Sequence, residues 1–189
     1  MSCTKAGWPA TSPELAKANS GNLGVCLMRK DGTEYSAGDC NIPFTMQSIS
    51  KTFSLILALQ TAGYDKVFSK IGMEPTGDRF DSILQLELKD WRPFNPMINA
   101  GAIVTASCIE SPDPFQSFLD LVRRLCANPR ISLNESVYRS EKKDRHPKPV
   151  HCLPAEKRQC TGWGAGRGTG CVLPHVFRDG HARDLAHYG

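Results

Sequence analysis

The sequence predicts a single domain that mixes an antiparallel hairpin with helices, and three observations carry that expectation. Short apolar stretches at 22–28 and 33–37 flank Arg29-Lys30-Asp31-Gly32, and Asp-Gly between two such runs is a hairpin-turn signal. Ser48 heads a mostly apolar segment that runs to Gly63, a helix with a glycine just past its end. Between Ser111 and Ala127, apolar Phe115, Phe118, Leu119, Leu121, Val122 and Leu125 recur at helical spacing, which predicts an amphipathic helix facing a core. At 189 residues and 40% hydrophobic, the chain can enclose one core without a second domain.

In chain order, the hairpin comes first, and Gly38-Asp39 and Ile42-Pro43 then make a loop that delivers the chain to Ser48. A second short helix is expected near Lys66 to Ile71, followed by a loop at Met73-Glu74-Pro75-Thr76-Gly77-Asp78 marked by its proline and glycine. Phe94 to Met97 reads as a loop feeding a helix rich in small residues. Ala100, Gly101, Ala102 and Ala106 permit close backbone packing, which suits a helix at the centre of a domain. Ser111-Pro112-Asp113 opens the amphipathic helix, with Arg123-Arg124 expected on its outer face. A last short helix is expected around Glu135 to Lys143. Beyond Pro147, PKPVHCLPAEKRQCTGWGAGRGTG holds three prolines and five glycines without a strong period or a core face.

Composition excludes several classes. The longest apolar runs are too short to span a bilayer, and the first residues lack a charged region followed by an apolar one, so a cytoplasmic protein without a membrane role is expected. Residues 1–141 carry 14 Lys and Arg against 15 Asp and Glu, and residues 142–189 carry 9 against 4. The basic excess therefore belongs to the tail, where no aromatic interleaving or nucleic-acid motif accompanies it, and no nucleic-acid partner is expected. The eight cysteines contain no Cys-x-x-Cys pair, and Cys152, Cys160, Cys171 and His175 match no ligand spacing. Scattered reduced thiols are expected, with no metal and no cofactor.

The chemistry sits at the head of the first long helix. Ser48 and Lys51 are three residues apart, about one helical turn, so a hydroxyl and an amine share a face. Serine needs such a partner to act as a nucleophile, and the positive potential of a helix N-terminus favours the neutral amine and a developing oxyanion. Ser-x-x-Lys is the signature of the serine acyl enzymes that resemble β-lactamases and penicillin-binding proteins.

Further blocks extend the pattern: Tyr35-Ser36-Ala37-Gly38-Asp39, Phe44-Thr45-Met46-Gln47-Ser48-Ile49-Ser50-Lys51, Glu74-Pro75-Thr76-Gly77, Asn95-Pro96-Met97-Ile98-Asn99-Ala100-Gly101-Ala102-Ile103 and Tyr138-Arg139-Ser140-Glu141. In this order, over roughly 130 residues, the chain resembles the serine-dependent glutaminases. The resemblance implies an α+β fold of the serine β-lactamase and penicillin-binding-protein type, an antiparallel sheet with helices, incomplete at the C-terminus. It implies hydrolysis of L-glutamine to L-glutamate and ammonia by a homo-oligomer. Ser48 matches the nucleophile, which also holds substrate, and Lys51 matches its base. Asn99 and Glu141 match substrate-binding residues: a carboxylate suits glutamine's α-ammonium, and an amide side chain can both donate and accept.

The chain also departs from the family. An asparagine expected seven residues after Glu141 is Lys148, and a tyrosine expected shortly before Pro13-Glu14-Leu15-Ala16-Lys17 is Thr11. A later active-site tyrosine has no counterpart between Pro147 and His181, and the family's C-terminal portion, with an oxyanion-hole donor, lies beyond Gly189. The expected organisation is a partial glutaminase domain at 1–146, an anomalous segment at 147–181 and a short return of family-like sequence at 182–189. An inactive homologue or fragment is the alternative. A penicillin-recognising enzyme would need Ser-Asp-Asn and Lys-Thr-Gly, and neither tripeptide occurs.

The anomalous segments are expected to be relics of reading-frame slips. PKPVHCLPAEKRQC can be encoded so that the next frame reads RNRSIAYLLKSGNA, which restores an asparagine and an apolar helix, and MSCTKAGWPATS so that another frame gives VLYQGRVAGYI, which restores a tyrosine. Sequencing the encoding DNA checks this; stop codons or unrelated peptide in those frames would exclude it.

Overall fold

A computed structural model describes residues 13–77, 92–144, 177–178 and 182–188. The departures at Thr11 and Lys148, the loop residue Asp78, the possible metal set and nearly all of 147–181 lie outside the described residues.

The hairpin forms where the turn signal places it. Strand β1 (Gly24–Met28) pairs antiparallel with β2 (Glu34–Gly38), in a register that sets Val25 opposite Ala37 and Leu27 opposite Tyr35. The connection is closed by Arg29 N–H donating to Thr33 O at 2.9 Å and Gly32 N–H to Arg29 O at 2.9 Å. That is the pattern of a three-residue loop, in which the Asp31 carboxylate also accepts from Thr33 N–H at 2.9 Å.

Helix α1 (Ser50–Ala62) begins two residues later than the sequence indicates, because Gln47–Ile49 first form a single 3₁₀ turn. It ends where expected: Gly63, at a φ of 81°, donates its N–H to Leu59 O at 3.2 Å and turns the chain directly into α2 (Tyr64–Lys70). Helices α3 (Asn99–Ser107), α4 (Pro114–Leu125) and α5 (Glu135–Asp144) fall where spacing and caps place them. Asp113 is the N-cap of α4, accepting from Gln116 N–H at 3.0 Å, with Pro114 at the first helical position. A second two-stranded antiparallel sheet joins β3 (Ser132–Leu133) to β4 (Phe177–Arg178), and α6 (Ala182–Tyr188) follows.

Helix α1 occupies the centre. Phe53 and Leu57 enter one cluster with Met46, Phe118, Leu119, Leu121, Val122 and Ile131, and Ala58 enters another with Val67, Ile71 and Cys108. The small-residue helix α3 is less central than its composition indicates. It buries Gly101, Ala102 and Thr105 and packs on α1, while Asn99 stays exposed, so one face rather than the whole helix is enclosed. Arg123 is not fully outside either. Its Nε donates to Ile131 O at 2.8 Å, because the carbonyl of the passing loop needs a donor and the long side chain reaches it. Phe115 is 40% exposed, since the first turn of α4 lies beyond the edge of the core.

The helix α6 belongs to the stretch where family-like sequence returns. It packs on β1, its Leu185 lies against the larger cluster, and Asp184 is buried, accepting from Asn128 Nδ2 at 2.8 Å. Arg183 pairs with Glu34 of β2 at 2.5 Å.

Two substitutions test this packing. A Cβ at Gly101 would sit 1.8 Å from Asn95 O, so Gly101→Ala is expected to destabilise the fold by about 1–3 kcal/mol or more through forced separation of α3 from its entry loop. Asp113→Ala removes one cap and is expected to cost about 1 kcal/mol. Denaturant unfolding measures both, and a Gly101→Ala chain as stable as the wild type would refute the close approach of α3 to Asn95.

Candidate active site

Three serines lie near the head of α1, and the fold separates them. Ser50 is fully buried and donates from Oγ to Gln47 O at 2.7 Å, and Ser54 is buried and donates to Ser50 O at 3.1 Å. Ser48 alone of the three is exposed. It sits in the 3₁₀ turn directly after Gln47, whose φ of 47° places a non-glycine residue in the left-handed region. Such a conformation costs on the order of 1–3 kcal/mol and is held by its surroundings. Here the Gln47 side chain donates to Thr45 Oγ1 at 3.1 Å, and its carbonyl takes the Ser50 hydroxyl.

Lys51 lies one turn further on and is only 3% exposed. Its Nζ donates to Met97 O at 2.8 Å and to Asn99 Oδ1 at 2.8 Å. Burial lowers its pKa from the ordinary lysine value, since taking the ammonium out of water disfavours the charged form. Neither acceptor is a full negative charge, so nothing in this pair offsets desolvation as a carboxylate would.

The loop before α3 aims these acceptors. Asn95 Oδ1 accepts from Met97 N–H at 2.9 Å and from Ile98 N–H at 3.2 Å, an Asx turn that fixes the Met97 peptide. Asn95 Nδ2 donates to Glu74 O at 2.9 Å, while Gly72 N–H donates to Pro93 O at 2.7 Å and Glu74 N–H to Phe94 O at 3.0 Å. The Glu74-Pro75 stretch thus braces the Asn95-Pro96-Met97 stretch, and both stand behind Lys51.

Of the residues singled out by sequence, the structure brings Lys51 and Asn99 into contact and places Ser48 one turn ahead of Lys51. Glu141 is placed by its backbone alone, in the second half of α5. The sequence did not point to the Met97 carbonyl, because a backbone acceptor leaves no residue-type signal; Asn95-Pro96, a turn-forming pair, was its only trace. Among the described residues, no group of three or more His, Cys, Asp and Glu is placed to hold a metal ion, and no helix is long and apolar enough to cross a membrane.

Comparison with known proteins decides the family, for the sequence pattern of the glutaminases matches residues 8–150. The chain belongs to the glutaminase family. The glutaminase of Alkaliphilus metalliredigens is 49% identical over 138 residues, covering 71% of this chain and 45% of that protein. The crystal structure of a probable glutaminase from Bacillus subtilis superposes with a TM-score of 0.73 at 34% identity, covering 89% of this chain and 55% of its own. A probable glutaminase from Bacillus subtilis complexed with 6-diazo-5-oxo-L-norleucine superposes with a TM-score of 0.73 at 29% identity over 95% of this chain and 55% of its own. This glutaminase-family chain therefore has the β-lactamase-like α+β fold of its relatives and spans less than half the length of the curated relative named above.

The buried amine sets a pH dependence. Lys51 has a lower pKa folded than the ~10.4 of an unfolded lysine, so between those two values the unfolded chain holds the extra proton and stability rises with pH. Below the depressed value the cost of burying the ammonium is fully present. Urea titrations from neutral pH to about pH 10 are expected to show this rise and to lose it in Lys51→Met; an unchanged slope in the variant would show that another group titrates.

Proposed function

We propose that this chain acts as a glutaminase, hydrolysing the side-chain amide of L-glutamine to L-glutamate and ammonia through an acyl-enzyme on Ser48. The observation that carries this reading is the pair of hydrogen bonds from Lys51 Nζ to Met97 O and Asn99 Oδ1, each 2.8 Å, three residues after an exposed serine. A neutral amine has two N–H groups. Only the neutral amine can accept a proton, and a depressed pKa makes that form accessible.

In this reading Lys51 takes the Ser48 hydroxyl proton as Oγ attacks the amide carbonyl carbon. It then returns the proton to the departing nitrogen as the carbon–nitrogen bond breaks, releasing ammonia. Water, activated by the same amine, hydrolyses the ester to L-glutamate and frees Ser48. Asn99 turns its oxygen to Lys51, since only an oxygen can accept there, so Nδ2 is the atom left to donate to substrate. Glu141 is assigned to the α-ammonium. The relative bound to 6-diazo-5-oxo-L-norleucine supports the substrate class, because that molecule is a glutamine analogue. The proposal includes a cytoplasmic homo-oligomer without cofactor, metal or nucleic-acid partner.

The second reading is an inactive or feeble homologue that retains Ser48 and Lys51. Ammonia release from L-glutamine, measured beside the glutaminase of Alkaliphilus metalliredigens, separates the two.

Ser48→Ala is expected to abolish turnover while leaving the unfolding midpoint nearly unchanged, because an exposed hydroxyl is lost. Lys51→Ala is expected to reduce turnover by about a thousandfold or more if the pair acts as a unit. Ammonia release that survives Ser48→Ala would remove this serine as nucleophile.

A further inference from the structure

The hairpin and the loop that leaves it carry two cysteines that the proposed reaction does not use. Cys26 is on β1, and Cys40 lies in the loop that leaves β2 for Ser48; both thiols are free in this structure. Cys40 is buried and Cys26 is half-buried.

Their relation follows from the register. Side chains alternate across a strand, so Cys26 projects to the same face as the position of Gly24. That face is occupied by the Cys40 segment: a Cβ on Gly24 would meet Cys40 N and Asp39 C, each at 3.0 Å. The Cys40 backbone therefore lies over Gly24. Its thiol does not point away, because Sγ donates to Val25 O at 3.0 Å and to Ala37 O at 2.9 Å. Val25 O belongs to the peptide that joins Val25 to Cys26, and Ala37 is the cross-strand partner of Val25. The Cys40 side chain thus runs along β1 from Gly24 toward Cys26, on the face where Cys26 projects. The electrostatics also place the two thiols near one another, for burial first, then negative charge on Glu34 and on Cys40, raises the Cys26 pKa.

We propose that Cys26 and Cys40 are a dithiol site that closes to an intrachain disulfide under oxidation. With a small disulfide such as oxidised glutathione, the half-buried Cys26 thiolate attacks first, forming a mixed disulfide and releasing one glutathione thiolate. The Cys40 thiolate then attacks the Cys26 sulfur, the mixed bond breaks, and the second glutathione thiolate leaves. Two protein thiols lose their protons to two glutathione thiolates, and the oxidant accepts two electrons. The bond would staple β1 to the segment that delivers Ser48.

The full chain, incubated natively with oxidised glutathione, alkylated and digested with trypsin, tests this. Arg29 and Lys30 separate the two cysteines into different peptides. The expected result is a cross-linked Cys26–Cys40 peptide pair about 2 Da lighter than the sum of its reduced peptides, formed before Cys108 or Cys126 is modified. Cys126, 1% exposed where Cys26 is half-buried, is the internal control for an inaccessible thiol. In Cys40→Ser the reaction is expected to stop at the glutathione adduct on Cys26, a readout that does not depend on comparing stabilities. A wild-type chain that stops at that adduct, that joins Cys26 to another cysteine, or that leaves Cys26 unmodified overturns the proposal.

Discussion

The buried amine of Lys51 ties the central helix to the start of α3. Its stem belongs to the central helix, while its two acceptors come from the loop and first residue of α3, 46 and 48 positions away in sequence. An amine 3% exposed must be hydrogen-bonded to be tolerated. The Met97 peptide and the Asn99 side chain supply that requirement, and each is itself held: Met97 by the Asx turn of Asn95, Asn99 by its place at the start of α3. Gly101 lets α3 approach the Asn95 carbonyl closely enough for the arrangement to close.

The core explains why α1 can hold such a group rigidly. The helix is enclosed on two sides by separate apolar clusters, so its orientation is fixed by α4 on one side and α2 on the other. The N-terminal end emerges from that enclosure. Ser48 stays in the 3₁₀ turn ahead of the buried portion, after a residue at positive φ, and is exposed while Lys51 is buried. Helix α6 adds a long-range tie, through the Asp184–Asn128 hydrogen bond and the Arg183–Glu34 ion pair, between the family-like return and the rest of the domain.

Local sequence determined the elements whose causes are local. The Asp31-Gly32 turn, the Gly63 stop, the Asp113-Pro114 start and the periodic apolar face of α4 are each written within a few residues, and each appears at its place. The three-residue spacing of Ser48 and Lys51 is likewise a local fact, although Ser48 falls in the 3₁₀ turn ahead of the helix that carries Lys51. Tertiary structure decided the rest. That α1, and not the small-residue helix, is central depends on two clusters assembled from distant segments. The contact of Asn99 with Lys51, the Met97 carbonyl beside it and the capture of Ile131 O by Arg123 all join groups with no sequence proximity or residue-type signature. They follow from a physical demand that only the folded chain meets: each polar group taken out of water must find a partner, and packing decides which one is within reach.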